Sequence, residues 1–175
     1  MKLILAMDPD DISPTEDLMQ EHGLLNRILL IYEASLPSLN TKLEIIHSCA
    51  SIIRTFIEDY HEKNEEKFIF SAFKAGHPLR DLVGVLKQNH EDGRKITDRI
   101  MSSKVEVVQT AIPEFLKMYR RHEALEDTVV YPAFRKLVSK EEFYQLGRQF
   151  ESEEQKLDHG FGDYLKMVEQ LETDV

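Results

Sequence analysis

Apolar residues recur at alternating steps of three and four along most of the chain, and polar residues fill the positions between them. This spacing keeps the apolar side chains on one face of a helix. Proline, glycine and capping residues predict helices over about 14–38, 41–74, 79–102 and 104–138, and a fifth from 139 that breaks at Gly160 or Gly162. Long helices with short connections predict an all-α fold, an up-down antiparallel four-helix bundle with an additional C-terminal helical segment.

Three capping boxes mark predicted helix starts. Each box places Ser or Thr three residues before Glu, so that the two side chains bind free backbone N–H groups of the first turn. The boxes are Ser13–Glu16, Thr41–Glu44 and Ser139–Glu142. Inside the fourth block, Pro113 and Pro132 remove backbone donors, and we expect a kink or a short break there.

The composition narrows the class of protein. The 175 residues have a mass of 20.4 kDa and predict a single domain over 1–175, with a bundle core over about 14–138 and the C-terminal segment over about 139–172. Acidic residues outnumber basic ones 32 to 22, and the net charge of −10 argues against nucleic-acid and membrane partners. Cys49 is the single cysteine, and the apolar segment 1–7 is too short for a signal peptide, so we expect a cytoplasmic protein.

One histidine interrupts each of the four apolar faces, and two faces carry a glutamate one turn later. These residues are His22, His61, His90 and His122, with Glu65 and Glu126. Taken singly, each histidine is best interpreted as a core residue hydrogen-bonded to a backbone carbonyl. Four histidines and two carboxylates at one level of a bundle favour a metal site instead. Imidazole and carboxylate groups are natural metal ligands, and an ion removes the cost of burying them.

The spacing of the glutamates indicates the kind of metal site. His61 and His122 each precede a glutamate by four residues, so both donors of a pair share a helix face. Two carboxylates and at least four imidazoles are most simply accommodated as two metal ions bridged by the glutamates. Among the four histidines that interrupt the apolar faces, a ferritin-like Glu-x-x-His motif occurs once, at Glu58–His61, whereas Tyr119 stands at that position before His122. The sequence H-E-x-x-H does not occur, which argues against a zinc protease.

In these motifs the sequence resembles the hemerythrin-like (HHE cation-binding) family, over most of the chain. The resemblance lies in Glu21–Leu25, His61–Phe70, Asn89–Glu91 and His122–Pro132. It implies a four-helix bundle around a non-haem di-iron centre, with two iron ions bridged by an oxygen species and by two carboxylates. The same donors also accept zinc or manganese. The ligands that the resemblance implies are terminal His22, His61, His90 and His122 and bridging Glu65 and Glu126.

The fifth histidine of the oxygen-carrying members is missing from its usual place. Those members have two histidines one turn apart on the third helix, whereas Leu86 and Arg94 flank His90 here. Two residues are candidates for an additional metal ligand. The first is His159, although a histidine near a helix break is equally compatible with a solvent-facing position. The second is Glu62, which resembles a ligand of an iron-sensing branch of the family, where a glutamate directly follows this histidine.

The remaining histidines and the cysteine do not lie at the level of the inferred metal site. His47 and His77 lie off the inferred site and are predicted to be structural or surface residues. Cys49 lies about 18 Å along the second helix from His61, too far to bind the same ions.

Three functional classes follow from such a centre. We expect a non-haem di-iron protein that binds or senses O2, NO, peroxide or iron, with a small diatomic ligand or peroxide as its partner. One alternative is a di-iron enzyme that turns over peroxide or oxidises a small substrate, and the other is an iron storage or donor protein. Because the sequence contains no Ser-His-Asp pattern and no phosphate-binding glycine loop, other enzyme classes lack support. We favour binding or redox sensing over catalysis.

Overall fold

The structure is a computed structural model, and it describes residues 13–175. Within this range every regular element is helical, which confirms the predicted all-α class. Residues 1–12, which include the apolar segment 1–7 and its interpretation, lie outside the described range. None of the helices in 13–175 is both long enough and apolar enough to cross a membrane.

Four helices form the bundle, and two of them change helix type along their length. Helix α1 spans Pro14–Ser35 and ends in a 3₁₀ turn at Leu36–Ser38. Helix α2 covers residues 39–72 and joins five segments: Leu39–Ile52 (α), Ile53–His61 (π), Glu62–Asn64 (α), Glu65–Ile69 (π) and Phe70–Ala72 (3₁₀). Helix α3 spans Arg80–Ile100. Helix α4 covers residues 105–137 and joins Val105–Leu125 (α), Glu126–Val130 (π) and Tyr131–Leu137 (α).

Two further helices form the additional C-terminal segment. Helix α5 spans Lys140–Glu154 and helix α6 spans Phe161–Thr173, and both pack against α1. Helix α6 also contacts α2. The predicted break is confirmed at Gly160, the residue that precedes α6. The backbone N–H of Phe161 donates to the Glu154 carboxylate at 2.7 Å and fixes this start.

Two of the three predicted capping boxes are confirmed. The Ser13 hydroxyl accepts from the N–H of Glu16 at 3.3 Å, and the Ser13 N–H donates to the Glu16 carboxylate at 3.1 Å. Ser139 and Glu142 form the same pair at 3.2 and 2.8 Å. Each box therefore satisfies backbone donors that the first helical turn leaves free.

Two local features differ from the predictions. The Thr41 box does not form because α2 begins earlier, at Leu39, and the Thr41 hydroxyl donates to the backbone carbonyl of Ser38 at 2.9 Å. The fourth helix has no break at Pro113, which lies inside its first segment. That position is exposed, so water can bind the carbonyl that the proline leaves without a donor.

A buried polar layer separates two parts of the apolar core. On every bundle helix, the polar residues of this layer lie between apolar residues of the first part and of the second. The first part includes Leu25, Ile28, Ile53, Ile100 and Phe115. The second part includes Leu18, Phe70, Leu86, Val130 and Phe134. The layer therefore lies between two dry regions of the bundle.

The π segments shift the apolar face of two helices. An even α-helical period predicts Phe68 and Ala72 in the core of α2, but both are only half-buried, whereas Ile69 and Phe73 are buried. Helix α4 shows the same one-residue shift: Val130 and Phe134 are buried in place of the predicted Val129 and Ala133. A π turn closes its hydrogen bond one residue later than an α turn, so every residue after it moves around the helix.

Candidate metal centre

The four histidines and two glutamates that interrupt the apolar faces all lie in the buried polar layer, and we call them the seam residues. The imidazoles come from α1 (His22), α2 (His61), α3 (His90) and α4 (His122), and the carboxylates from α2 (Glu65) and α4 (Glu126). Both glutamates and His90 are fully buried, and the other three imidazoles are at most 3% exposed. The spacing of four residues between each histidine and glutamate on α2 and α4 keeps the two side chains on one face of the helix.

The donor atoms of the layer converge. Glu65, His90, His122 and Glu126 each offer one donor atom within 4.8 Å of the others. The remaining two imidazoles adjoin this group: His22 Nε2 lies 3.4 Å from a Glu126 carboxylate oxygen, and the ring centroids of His22 and His61 are 4.8 Å apart. Four of the six predicted ligands thus form one compact group, and His22 and His61 lie beside it.

Each imidazole turns its outer nitrogen, Nδ1, toward a polar partner. The partners are Asp127 for His22 (2.8 Å), Glu21 for His61 (2.6 Å), Glu66 for His90 (3.0 Å) and the Asn89 amide for His122 (3.4 Å). A carboxylate only accepts hydrogen bonds, so the first three rings carry their proton on Nδ1. Nε2 is then the nitrogen of each of these rings that a metal ion can bind, the arrangement typical of metal-binding histidines.

The chemistry of the layer fits a cation. None of the four carboxylate oxygens of Glu65 and Glu126 accepts a hydrogen bond from the described residues. What lies near them are imidazole Nε2 atoms, such as that of His122 at 2.8 Å from Glu126 and that of His90 at 3.4 Å from Glu65. Buried carboxylates without hydrogen-bond donors are costly unless an ion compensates them.

The electrostatics of the centre lead to the same conclusion. Burial disfavours the charged form of His22, but its hydrogen bond with Asp127 and the nearby Glu126 carboxylate outweigh this and raise the pKa of His22 well above its ordinary value. Burial and the neighbouring Glu126 carboxylate raise the pKa of Glu65. Burial opposes ionisation of Glu126 too, yet the imidazole of His122 beside it lowers the pKa of Glu126 well below its usual range. The layer draws positive charge to Nε2, and protons and metal ions compete for such atoms.

The contacts of the centre occur twice, once in each half of the bundle. We call helices α1 and α2 half A, and helices α3 and α4 half B. The motif H-E-x-x-E-[E/D]-x-x-x-[F/Y] occurs in half A over 61–70 and in half B over 122–131. The residue after each seam glutamate binds the lone histidine of the other half: Glu66 binds His90, and Asp127 binds His22. Each half therefore completes the imidazole environment of the other.

The repetition extends to the aromatic contacts. Phe70 stacks on His90 with a centroid distance of 5.5 Å, and its counterpart Tyr131 stacks on His22 at 5.8 Å, both with ring planes 13° apart. The Tyr131 hydroxyl lies 3.5 Å from His22 Nε2. The Glu123 carboxylate accepts from the Asn26 amide at 2.6 Å. Burial raises the pKa of Glu123 to about 7, against the opposing charge of His22.

Glu62, one candidate for an additional ligand, is buried at the edge of the centre and binds other groups there. Its carboxylate accepts from the Tyr119 hydroxyl at 2.8 Å and pairs with Arg94 at 2.7 Å. Gly93 makes room for this contact, since a Cβ atom at that position would overlap the Tyr119 hydroxyl. Glu62 is therefore engaged with half B on the side where Arg94 reaches it, and it is not among the donors that converge.

His159, the other candidate, lies outside the centre. It is exposed at the break between α5 and α6 and meets Tyr164 edge to face, with the ring centroids 6.1 Å apart. Tyr164 in turn donates to Thr55, on the face of α2 that α6 covers. The structure thus places His159 on the outside of the bundle, because the chain turns away from the polar layer before it reaches α6.

The other residues that the sequence set apart also lie elsewhere. His47 is half-buried and hydrogen-bonded to the Ser102 carbonyl at 3.1 Å. His77 accepts from the backbone N–H of Leu79 in the turn before α3. Cys49 is buried in the first part of the core, and burial raises the pKa of its thiol to about 12.

Sequence reasoning missed the outer partners of the imidazoles. Glu21, Glu66, Asn89 and Asp127 were not singled out, although each one directly adjoins a predicted ligand in the sequence. Tyr131 was also missed as a polar group of the centre. The available signal was the alignment of the two H-E-x-x-E segments with each other, which matches Glu66 to Asp127 and places Tyr131 opposite Phe70.

Comparisons with known proteins identify a related family. The model of the family described as the hemerythrin HHE cation-binding domain matches residues 13–133. The chain is 34% identical over 177 residues to an uncharacterized protein of Mycobacterium tuberculosis and to one of Mycobacterium bovis. Each alignment covers 92% of this chain and 69% of the relative. No solved structure matches the chain significantly.

Proposed function

This chain belongs to the hemerythrin HHE cation-binding domain family, and from that premise we propose that it is a non-haem di-iron protein that binds or senses a small ligand. The ligand would be O2, NO or peroxide, or the protein would report iron itself. When bound, a pair of bridged iron ions supplies an open coordination position and reversible redox chemistry. The same nitrogen and oxygen donors also suit zinc or manganese.

The observation that carries this proposal is the direction of the imidazoles. Three of the four present Nδ1 to a carboxylate, which leaves Nε2 as the nitrogen that a metal ion can bind. Such outer carboxylates hold metal-binding histidines in the correct tautomer and orientation. A core histidine that served only packing would need no carboxylate partner, since a backbone carbonyl satisfies it at lower cost.

Each side chain has a role in the proposed centre. His22 and His61 would be terminal ligands of one ion, because their rings adjoin within half A. His90 and His122 would be those of the second ion, since their Nε2 atoms lie 3.0 Å apart in half B. Glu126 would bridge the two ions, since one of its oxygens faces His22 and the other faces His122. Glu65, its counterpart in the repeat, would be the second bridge.

The experiment that tests the proposal is metal analysis together with optical spectroscopy. We expect two iron ions per chain after loading under reducing conditions, and a reversible ligand-dependent absorption change with O2 or NO. One ion per fully loaded chain would contradict the two-metal centre. Sustained turnover of peroxide without loss of iron would instead establish the enzyme alternative, and ready release of iron to a mild chelator would establish the storage alternative. The variant His47→Ala is the control, because its imidazole binds Ser102 far from the centre.

A further inference from the structure

Tyr131 carries a polar group that its counterpart in the other half, Phe70, lacks. Its ring stacks on His22, as Phe70 stacks on His90 in the other half. The tyrosine is 2% exposed, and its hydroxyl lies 3.5 Å from His22 Nε2. One side of the centre thus carries a buried hydroxyl, and the matching side carries a plain phenyl ring.

The acceptor that the hydroxyl now faces is lost when His22 binds an ion. The Nδ1 atom of His22 already pairs with Asp127, so Nε2 is the nitrogen available to a metal. A nitrogen lone pair that binds a metal cannot accept a hydrogen bond at the same time. The Glu65 carboxylate, which the hydroxyl also faces, keeps a lone pair on each oxygen when it binds metal, but its negative charge is then shared with the ions and it becomes a weaker acceptor. The buried phenol is then a hydrogen-bond donor without a strong acceptor, which favours pairing with an added anion.

We propose that the Tyr131 hydroxyl binds the exogenous ligand of the centre, as a hydrogen-bond donor that selects small anions or ligands that become anionic on binding. This inference rests on the proposed function. The ligand enters on the side of His22, next to the hydroxyl, and Phe70 keeps the side of His90 apolar. A neutral donor facing an anion forms a charge-assisted hydrogen bond, which is stronger than one between neutral groups. Tyr131 thereby determines specificity without binding a metal ion.

The test uses azide as the probe anion and the iron-loaded full chain in its oxidised state. Azide is titrated into the wild type and into Tyr131→Phe, and optical spectra report the fraction bound. We expect Tyr131→Phe to keep two iron ions per chain and to bind azide about 10- to 100-fold more weakly. In the wild type, the infrared stretch of bound azide should shift on transfer to D2O, because the phenol proton is exchanged. The shift should be absent from Tyr131→Phe.

The matched control is Tyr119→Phe, which removes another buried tyrosine hydroxyl. That hydroxyl donates to Glu62 rather than to the seam imidazoles, so azide affinity and the D2O shift should stay at wild-type values. Equal azide affinity in wild type and Tyr131→Phe, with two iron ions in both, would overturn this inference and leave the proposed function intact. A phenolate-to-iron absorption band, or loss of iron from Tyr131→Phe, would also overturn it, since the phenol would then be a ligand. Failure of the wild type to hold two iron ions would overturn both.

Discussion

The two halves of the centre share a framework and differ in charge. In half A, the outer nitrogen of His61 binds the Glu21 carboxylate, whereas in half B that of His122 binds the neutral amide of Asn89. A second difference concerns Glu66, whose charge is shared among His90, Lys87 at 3.1 Å and Arg94 at 3.9 Å. The hydrogen bonds from His90 and Lys87 outweigh the effect of burial and lower the pKa of Glu66 to about 2.

The difference teaches that geometry and electronic character are set by separate residues. Helix period and motif spacing place equivalent ligands in both halves, but neighbouring residues decide how much negative charge stands behind each imidazole. A carboxylate behind a ligating histidine raises the basicity of the ligand. We therefore expect the ion of half A to be held more tightly, and the ion of half B to be the first to leave.

We expect the largest effect from substitution of the two glutamates that are proposed to bridge the ions of both halves. Glu65→Gln and Glu126→Gln should each abolish binding of both ions, since each carboxylate is proposed to bridge them and a neutral amide is a poor substitute. Metal analysis of the purified variants measures this. His47→Ala and His77→Ala, which alter histidines outside the centre, should keep two ions per chain. Retention of one ion in either glutamine variant would show that the halves bind metal independently.

Chelation should destabilise the whole bundle. A ligand that binds only the folded state contributes RT ln(1 + [L]/Kd), which is about 4 kcal/mol at a thousandfold excess over Kd. Removal of the ions should lower the midpoint of thermal unfolding by a corresponding amount, because the layer then contains buried carboxylates and imidazoles without compensation. Calorimetry with and without chelator measures the change. Glu126→Gln should show no response to chelator, and an equal response there would contradict the assignment.

Exchanging the residues that bind the outer nitrogens of His61 and His122 should reverse the difference in metal affinity between the two halves. Glu21→Gln removes the charge behind His61, and we expect affinity for one of the two ions to fall by about 10- to 100-fold. Asn89→Asp adds a charge behind His122 and should raise the affinity for the other ion. Stepwise competition with a chromophoric chelator resolves the two dissociation constants. If both single variants change the same constant, the pairing of ions with halves is incorrect.

We expect the smallest effect, a pH-dependent change in stability, where helix α5 covers half A. Helix α5 packs on α1 beside Asp17, whereas the corresponding residue of half B, Val85, is 53% exposed. Burial, and then the carboxylates of Glu21 and Glu154, raise the pKa of Asp17 to about 7. The folded state thus retains a proton that the unfolded chain releases near pH 4, so this group costs stability as the pH rises from about 4 to 7.

Asp17→Asn should remove that cost. The variant should gain stability relative to the wild type as the pH increases from 4 to 8, which denaturant unfolding at several pH values measures. Glu16→Gln is the opposing control, because the hydrogen bonds from Ser13 lower the pKa of Glu16. Loss of the Glu16 carboxylate should reduce the free energy of unfolding more at high pH than at low pH. An unchanged difference for Asp17→Asn across this range would mean that α5 does not bury the carboxyl group in solution.

Much of this architecture could be predicted from the sequence because its signals are local. The two serine capping boxes and the apolar period depend on residues a few positions apart, and so does the alignment of His61 with Glu65. The same period brings the six seam residues to one level. Their role as metal ligands stays a prediction.

The rest depends on contacts that no local pattern contains. Helix type is one example: the π segments beginning at Glu65 and Glu126 moved the apolar faces beyond them by one residue. The pairing of His22 with Asp127 is another, since it joins residues 105 positions apart. Glu62 and His159 illustrate the converse. Glu62 was suggested as a ligand because it follows His61, and His159 because it is a histidine. In the structure Glu62 binds Tyr119 and Arg94, and His159 contacts Tyr164 on the outside of the bundle.

Because each half binds the lone histidine of the other, a bound ion would also act as a cross-link between distant parts of the chain. An ion held by His22 and Glu126 ties together chain segments separated by about as many residues as His22 and Asp127, which are 105 positions apart. Cross-linking a loop of roughly 100 residues restricts an unfolded chain by about 4–5 kcal/mol in the chain-entropy model. Neither helical hairpin can form such a closure by itself. Loading with metal should therefore convert partial opening of single helices into one cooperative transition of the whole bundle.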